Sequence, residues 1–322
     1  MRVNIEETEL IAYTSGYYGS FDIYVLDVLN GENVRLTYEL ADYFTVPYWC
    51  KESSKIAFVG KDLFLYVVDI TSKEIIRIDQ LVIGEEHSLS WSYKGDRLAY
   101  TKQNQIMIYN TATHKMHKII ERSPTNVQWF PDDTTLLYQS SALTGTSQLF
   151  RISIDQTSIQ QLTINEGGTL TDVRLSPDGQ FVIYRKVMIS SSAIFSMDIL
   201  SGQVYEIEGS SQDRSYFPEW SLDSKKIAYS QTSGFWNGYS SSIRTVGRHG
   251  ENDQGWVTTD CYASPITWSP DSKKLVYLSG CKSGYLASEM WYIDLIKPIP
   301  LNLISGRFIT SVKWSPTKLL RC

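Results

Sequence analysis

The segment WSPDSKKLVY, Trp268 to Tyr277, decides the architecture, because degenerate copies of it punctuate the whole chain. Its Trp recurs at Trp49, Trp91, Trp129, Trp220 and Trp314, and Leu175 fills the same slot in RLSPDG. The successive spacings are 42, 38, 46, 45, 48 and 46 residues. Nine positions after every anchor but the last stands an aromatic: Phe58, Tyr100, Tyr138, Tyr184, Tyr229 and Tyr277. Between anchor and aromatic lie KESS, YKGD, FPDDT, SPDG, SLDS and SPDS, which hold the residues of tight turns. After the aromatic comes an apolar strand that ends in an Asx residue, as in FDIYVLD to Asp27, LFLYVVD to Asp69 and AIFSMD to Asp198. A second turn (VLNG, ITSK, ILSG) then leads to a short fourth strand such as NVRLT, EIIRI or QVYEI. Each unit reads as a four-stranded antiparallel meander of about 45 residues, the period of a propeller blade.

Helical periodicity of useful length is absent, so folds that need crossover helices are excluded. Tyr13, in ELIAY, occupies the aromatic slot of a first copy that lacks its own first strand, and Trp314 opens a last copy cut off at Cys322. The two fragments complement each other. The expected fold is therefore all-β, a seven-bladed β-propeller of four-stranded antiparallel blades, closed by a C-terminal strand against the strands near Tyr13 and Tyr24. Residues 1–322 form one domain in this reading. Six whole repeats start near 45, 87, 125, 171, 216 and 264, and a seventh blade is split between 1–38 and 310–322. Closure removes the exposed sheet edges of a linear array.

The units WSPDSKKLVY (268–277), LSPDGQFVIY (175–184) and WSLDSKKIAY (220–229), with FDIYVLD (21–27), resemble the TolB-like β-propeller repeats. Similar repeats occur in the propellers of prolyl-oligopeptidase-type peptidases. The resemblance covers nearly the whole chain and implies the fold. Its relatives use such repeats for protein docking, for substrate gating and, in a few cases, for glycan chemistry. Seven units differ from the six typical of the name-giving family.

Composition narrows the function classes. Thirty basic against 35 acidic residues give a net charge of −5 over 322 residues, the wrong sign for holding nucleic acid through its phosphates. No apolar run approaches the roughly 20 residues that span a bilayer, so membrane insertion is not expected. The start MRVNIEETEL is acidic where a secretory leader would be basic and apolar. A full-length chain would be cytoplasmic, and one whose leader had been removed would be periplasmic or secreted.

Strand parity places the turns after strands one and three at one end of each meander, and the longer, aromatic connections at the other. Tyr17, Tyr18, Phe21, Tyr43, Phe44, Tyr216, Phe235, Trp236, Tyr239, Tyr262, Tyr285 and Phe308 are expected to crowd that second rim. Loops on a rigid scaffold carry function, and Tyr and Trp dominate binding hot spots. Asp42, Asp213 and Asp260 each precede a Pro by five residues. They either line the channel as acceptors or cap their own loops. Arg214 and Arg307 either pair with them or meet an anionic ligand. The segment SGRF (305–308) is taken as one of the connecting loops.

Catalytic signatures are scarce. There is no GxSxG elbow and no Gly-rich phosphate cradle followed by a helix. His114 and His117 are three apart on a strand and so point to opposite faces; His87 lies beside Glu85 and Glu86 in what reads as a polar loop. No cofactor and no metal are expected. Cys261 and Cys281 flank the same blade, either bridged or as two free thiols. The expected function is a non-catalytic scaffold, monomeric, that docks a protein or peptide through its aromatic face. The alternatives are a carbohydrate-binding or carbohydrate-cleaving, lyase-type propeller, with an oligosaccharide as partner, and a regulatory propeller of a larger protein.

Overall fold

The residue after each Trp explains the turn that follows it. In the repeat at 268, the Ser269 hydroxyl donates to Asp271 Oδ1 at 2.6 Å and accepts the Lys274 amide at 2.9 Å, which closes the hairpin from within. Ser176 and Ser221 do the same with Asp178 and Asp223. The fourth residue after the anchor turns left-handed: Gly95, Asp133, Gly179, Ser224 and Ser272 all have φ between 53 and 71°. The Asx residue ending the third strand accepts amide protons two or three residues on, as Asp69 does from Thr71 and Ser72 and Asp198 from Leu200 and Ser201.

The computed structural model describes residues 6–17, 19–52, 54–119, 123–141, 145–189, 191–209, 214–233, 240–281 and 286–321. The described residues are all-β, with no helix. Five four-stranded antiparallel sheets follow the repeats in chain order, each laid out first to fourth strand: 48–80, 89–119, 125–161, 169–208 and 214–259. A sixth sheet has seven strands, in the order Ile266–Trp268, Lys274–Ser279, Ala287–Asp294, Pro300–Trp314, Leu10–Tyr17, Ser20–Asp27 and Asn33–Arg35. Its long strand Pro300–Trp314 is the fourth strand of one unit and the first of the next. Counted once in each, it brings the four-stranded units to seven. The C-terminal end of that strand pairs with the N-terminal one, Trp314 opposite Ile11 and Val312 opposite Tyr13.

This strand corrects the loop expected at 305–308. The chain passes straight through Ser305–Phe308 in extended form, with ladder irregularities at Ala287/Glu289 and Thr14/Ser15 and a left-handed Gly306 absorbing the change of partner. Arg214 and Tyr216, expected on the connections of the rim, likewise belong to a strand, Arg214–Trp220.

Seven apolar clusters hold the sheets face to face. One joins Ile106 and Ile108 of the second sheet to Trp129, Tyr138 and Phe150 of the third. The plus-nine aromatics are at most 7% exposed, and full burial of such a side chain is worth roughly 1.5–3 kcal/mol. The buried Tyr residues keep their hydroxyls satisfied: Tyr100 donates to Asp79 at 2.7 Å and Tyr229 to Asp253 at 2.8 Å.

Candidate functional site

The anchors also build the wall of a central channel. The indole N–H of Trp91 donates to the carbonyl of Tyr48 on the preceding sheet at 2.9 Å, and Trp220, Trp268 and Trp49 do the same to Arg174, Glu219 and Lys313. The acceptor in every case is the residue just before the neighbouring anchor. Where that residue is small or amidic, its side chain instead takes the next anchor's backbone amide, as Ser90, Gln128 and Thr267 do for Trp129, Leu175 and Trp314. Where it is large, its side chain is left for the channel: Tyr48, Arg174, Glu219 and Lys313 all line a cavity of about 410 Å³ at the ring centre.

Three bulges aim Gln128, Arg174 and Glu219. The first strands of the third, fourth and fifth sheets break register at Thr125/Gln128, Thr171/Arg174 and Tyr216/Glu219. Each break contains a left-handed residue three before the anchor: Asn126 (φ 56°), Asp172 (φ 51°) and Phe217 (φ 53°). A bulky residue such as Phe217 resists that conformation, and such strain persists only where surrounding structure imposes it. The bulge adds a residue and re-aims the side chain that follows.

The charges meet inside. Glu219 pairs with Lys313, from two four-stranded units away, and lies 3.7 Å from Arg174 of the adjacent sheet. Burial alone would raise the Glu219 carboxyl, but Lys313 and Arg174 outweigh it and hold the group below its ordinary range. Arg174 is raised, since Glu219, Asp172 and Tyr48 together outweigh its burial. Lys51, two residues past the first anchor, lies with Nζ 3.2 Å from the centroid of the Tyr93 ring. Tyr93, beside the second sheet, donates to the Pro177 carbonyl beside the fourth at 3.0 Å. Lys51 has no ion-pair partner among the described residues, and burial pulls its ammonium down to about 8 against the attraction of Asp133 and Glu52.

Comparison with known proteins agrees with this architecture. The sequence model of the TolB β-propeller domain matches residues 20–272, well over half of the chain. The chain belongs to the TolB β-propeller family. It is similar to TolB from Acinetobacter baumannii, at 17% identity and a TM-score of 0.59 over 95% of this chain and 82% of that one. An oligogalacturonate lyase in complex with manganese aligns at 13% identity and a TM-score of 0.68, over 84% of this chain and 82% of that one. A chain from a structural and mechanistic analysis of two prolyl endopeptidases gives 12% and 0.66, over 94% of this chain but 50% of that one. At such identities these likenesses show the fold alone. No curated protein matches the sequence significantly.

In this TolB-family chain the described rim residues expected from sequence fall into two groups, and none of these described residues lines the channel cavity. The first surrounds the closing blade. Phe21 is buried edge-on to Tyr43, whose ring meets Phe44 edge-on at 5.0 Å. Tyr17 packs edge-on against Phe308 at 6.0 Å and donates to the Gly306 carbonyl, while Arg307 donates to the Tyr24 hydroxyl at 3.1 Å. Asp42 accepts from the Phe44 amide and the Thr45 hydroxyl, which makes it a cap of its own loop. The second group surrounds Tyr216, whose hydroxyl lies 2.7 Å from that of Tyr262 and whose ring lies under Arg185. Contacts to these two hydroxyls raise Arg214. Asp260 accepts the Gly280 and Cys281 amides and the Ser279 hydroxyl, tying the connection after the second strand to the start of the blade. Beside it, Cys261 and Cys281 form a disulfide. Tyr18, Asp213, Phe235, Trp236, Tyr239 and Tyr285 lie outside the described residues.

Sequence reasoning missed the channel residues. The signal was available: the position before the anchor reads Tyr48, Ser90, Gln128, Arg174, Glu219, Thr267 and Lys313, polar or charged in every copy. The histidines do not converge: His114 Nδ1 meets the Tyr109 hydroxyl at 2.6 Å, whereas His117 Nε2 faces the Ile154 carbonyl of the next sheet.

Proposed function

We propose that this TolB-family propeller is a non-catalytic docking module, one monomeric domain that binds a protein or peptide segment across the rim around Tyr17, Tyr43, Phe44 and Phe308. The exposure of the rings carries the reading. Phe44 is 81% exposed, Tyr17 51% and Tyr43 40%, yet they continue outward from buried Phe21. Rigid aromatic rings seated on a framework and open to solvent are the side chains that supply binding energy at low entropic cost. Tyr17 and Phe308 stand on paired strands of the closing ladder and Asp42 caps the turn that carries Tyr43 and Phe44, so a partner would meet a preformed surface.

The metal-assisted carbohydrate chemistry of a lyase finds less support in the donor set. Among the described residues the one carboxylate lining the channel is already engaged by Lys313 and Arg174, and no three of His, Cys, Asp and Glu converge. Those residues do not fit a divalent cation.

The test is selection of peptides from a displayed random library, with affinities measured by fluorescence anisotropy. Peptides selected on the native chain are expected to bind the Tyr43→Ala/Phe44→Ala variant at least tenfold more weakly. Undiminished binding by that variant, or cleavage of oligogalacturonate in a lyase assay with manganese, would contradict the proposal.

A further inference from the structure

We infer that the central channel is a binding site for a small carboxylate with an apolar body, held by Lys51, Arg174 and Lys313. The inference is independent of docking at the rim. Among the described residues four charged side chains line the cavity, three cations against the single carboxylate of Glu219, a surplus of two positive charges at the centre of a chain whose net charge is −5. Glu219 draws on Arg174 and Lys313, and Lys51, attracted by Asp133 and Glu52 without forming an ion pair to either, rests on the face of Tyr93. Gathering uncompensated cations inside a ring of low-dielectric walls is costly unless something anionic shares the space. The volume of about 410 Å³ lies within the range of small-ligand sites.

The walls specify the rest of the ligand. Val127, Leu175, Pro177 and Leu222 offer apolar surface, while Tyr48 and Asn126 supply polar contacts. A guanidinium recognises a carboxylate through two parallel hydrogen bonds, and Arg174 is carried on a strand kinked by the left-handed Asp172, itself clamped by Arg185 at 2.8 Å. The strained bulges at Asp172 and Phe217 thus present Arg174 and Glu219 to the cavity in fixed positions, and strain of this kind clusters at ligand sites. A carboxylate has two sources, a free acid or the end of a peptide chain.

Calorimetric titration at pH 7 with benzoate, with inorganic phosphate, and with the tripeptide Ser-Gly-Phe in free-acid and C-terminally amidated forms tests the inference. Benzoate or the free tripeptide is expected to bind, the amidated tripeptide and phosphate at least tenfold more weakly. Preference for benzoate identifies a small acid, and preference for the free tripeptide a chain terminus. Arg174→Gln and Lys51→Gln should each weaken that binding tenfold or more, while Lys318→Gln, on an exposed pair with Glu7, should not. If Arg174→Gln fails to fold, Lys51→Gln decides, because Lys51 holds no ion pair. Absence of binding by both carboxylates, equal binding of the amidated peptide, or binding unchanged in every one of these two variants that folds would overturn it.

Discussion

Lys51 is a cation the fold tolerates at a cost. Its ammonium is pulled down to about 8 from an ordinary 10.5, chiefly because burial disfavours the charged form. Below pH 8 the folded and unfolded chains both hold the proton, and the full penalty applies. Between about 8 and 10.5 the unfolded chain binds more protons than the folded one, so stability rises with pH as the penalty is relieved. Lys51→Met is therefore expected to raise the melting temperature at pH 7, with the gain shrinking toward zero above pH 10. A melting temperature lowered by the substitution at pH 7 would show that the ammonium is stabilised in place. At this scale some of the sequence was readable in advance: Asp42 caps its loop and the Asx residues close their turns, because Asx chemistry is local. Lys51 was not readable, because its neighbour Tyr93 lies 42 residues further on and in another sheet.

Each blade is a self-contained local program, which is why its four strands were legible. The Trp, the Ser after it, the Asp of the turn and the plus-nine aromatic each have a partner within the same or the adjacent unit. What the repeat pattern concealed is where a strand outruns its expected end. Arg214, Tyr216, Arg307 and Phe308 read as loop because their stretches are rich in polar and aromatic residues, yet they stand on strands whose ladders absorb the change through bulges. The Cys261–Cys281 bridge closes a 20-residue separation around the sixth blade, a span for which loop entropy predicts roughly 3 kcal/mol. The strand ending at Trp314 has no substitute. Deleting residues 310–322 removes Val312 and Trp314, both at most 4% exposed, together with their pairing to Ile11 and Tyr13. Losing large buried side chains costs roughly 3–5 kcal/mol each, so the melting temperature should fall by at least about 10 °C. An unchanged melting curve would mean that this strand does not close the ring.

On the scale of the whole molecule, closure creates what no single blade contains. Tyr48, Arg174, Glu219 and Lys313 stand far apart along the chain, and only the ring brings them to one cavity. Their shared place before the anchor is a pattern of the repeat, but its meaning depends on the geometry of the circle. An acidic chain with a cationic centre attracts anions inward over the last few ångströms, where the walls exclude the screening salt. The most direct measurement is the position of iodine in anomalous difference density from crystals grown with 4-iodobenzoate. The account predicts one dominant peak inside the channel, with the carboxylate directed at Arg174 and Lys51. A dominant peak on the rim beside Phe44, or none anywhere, would contradict it.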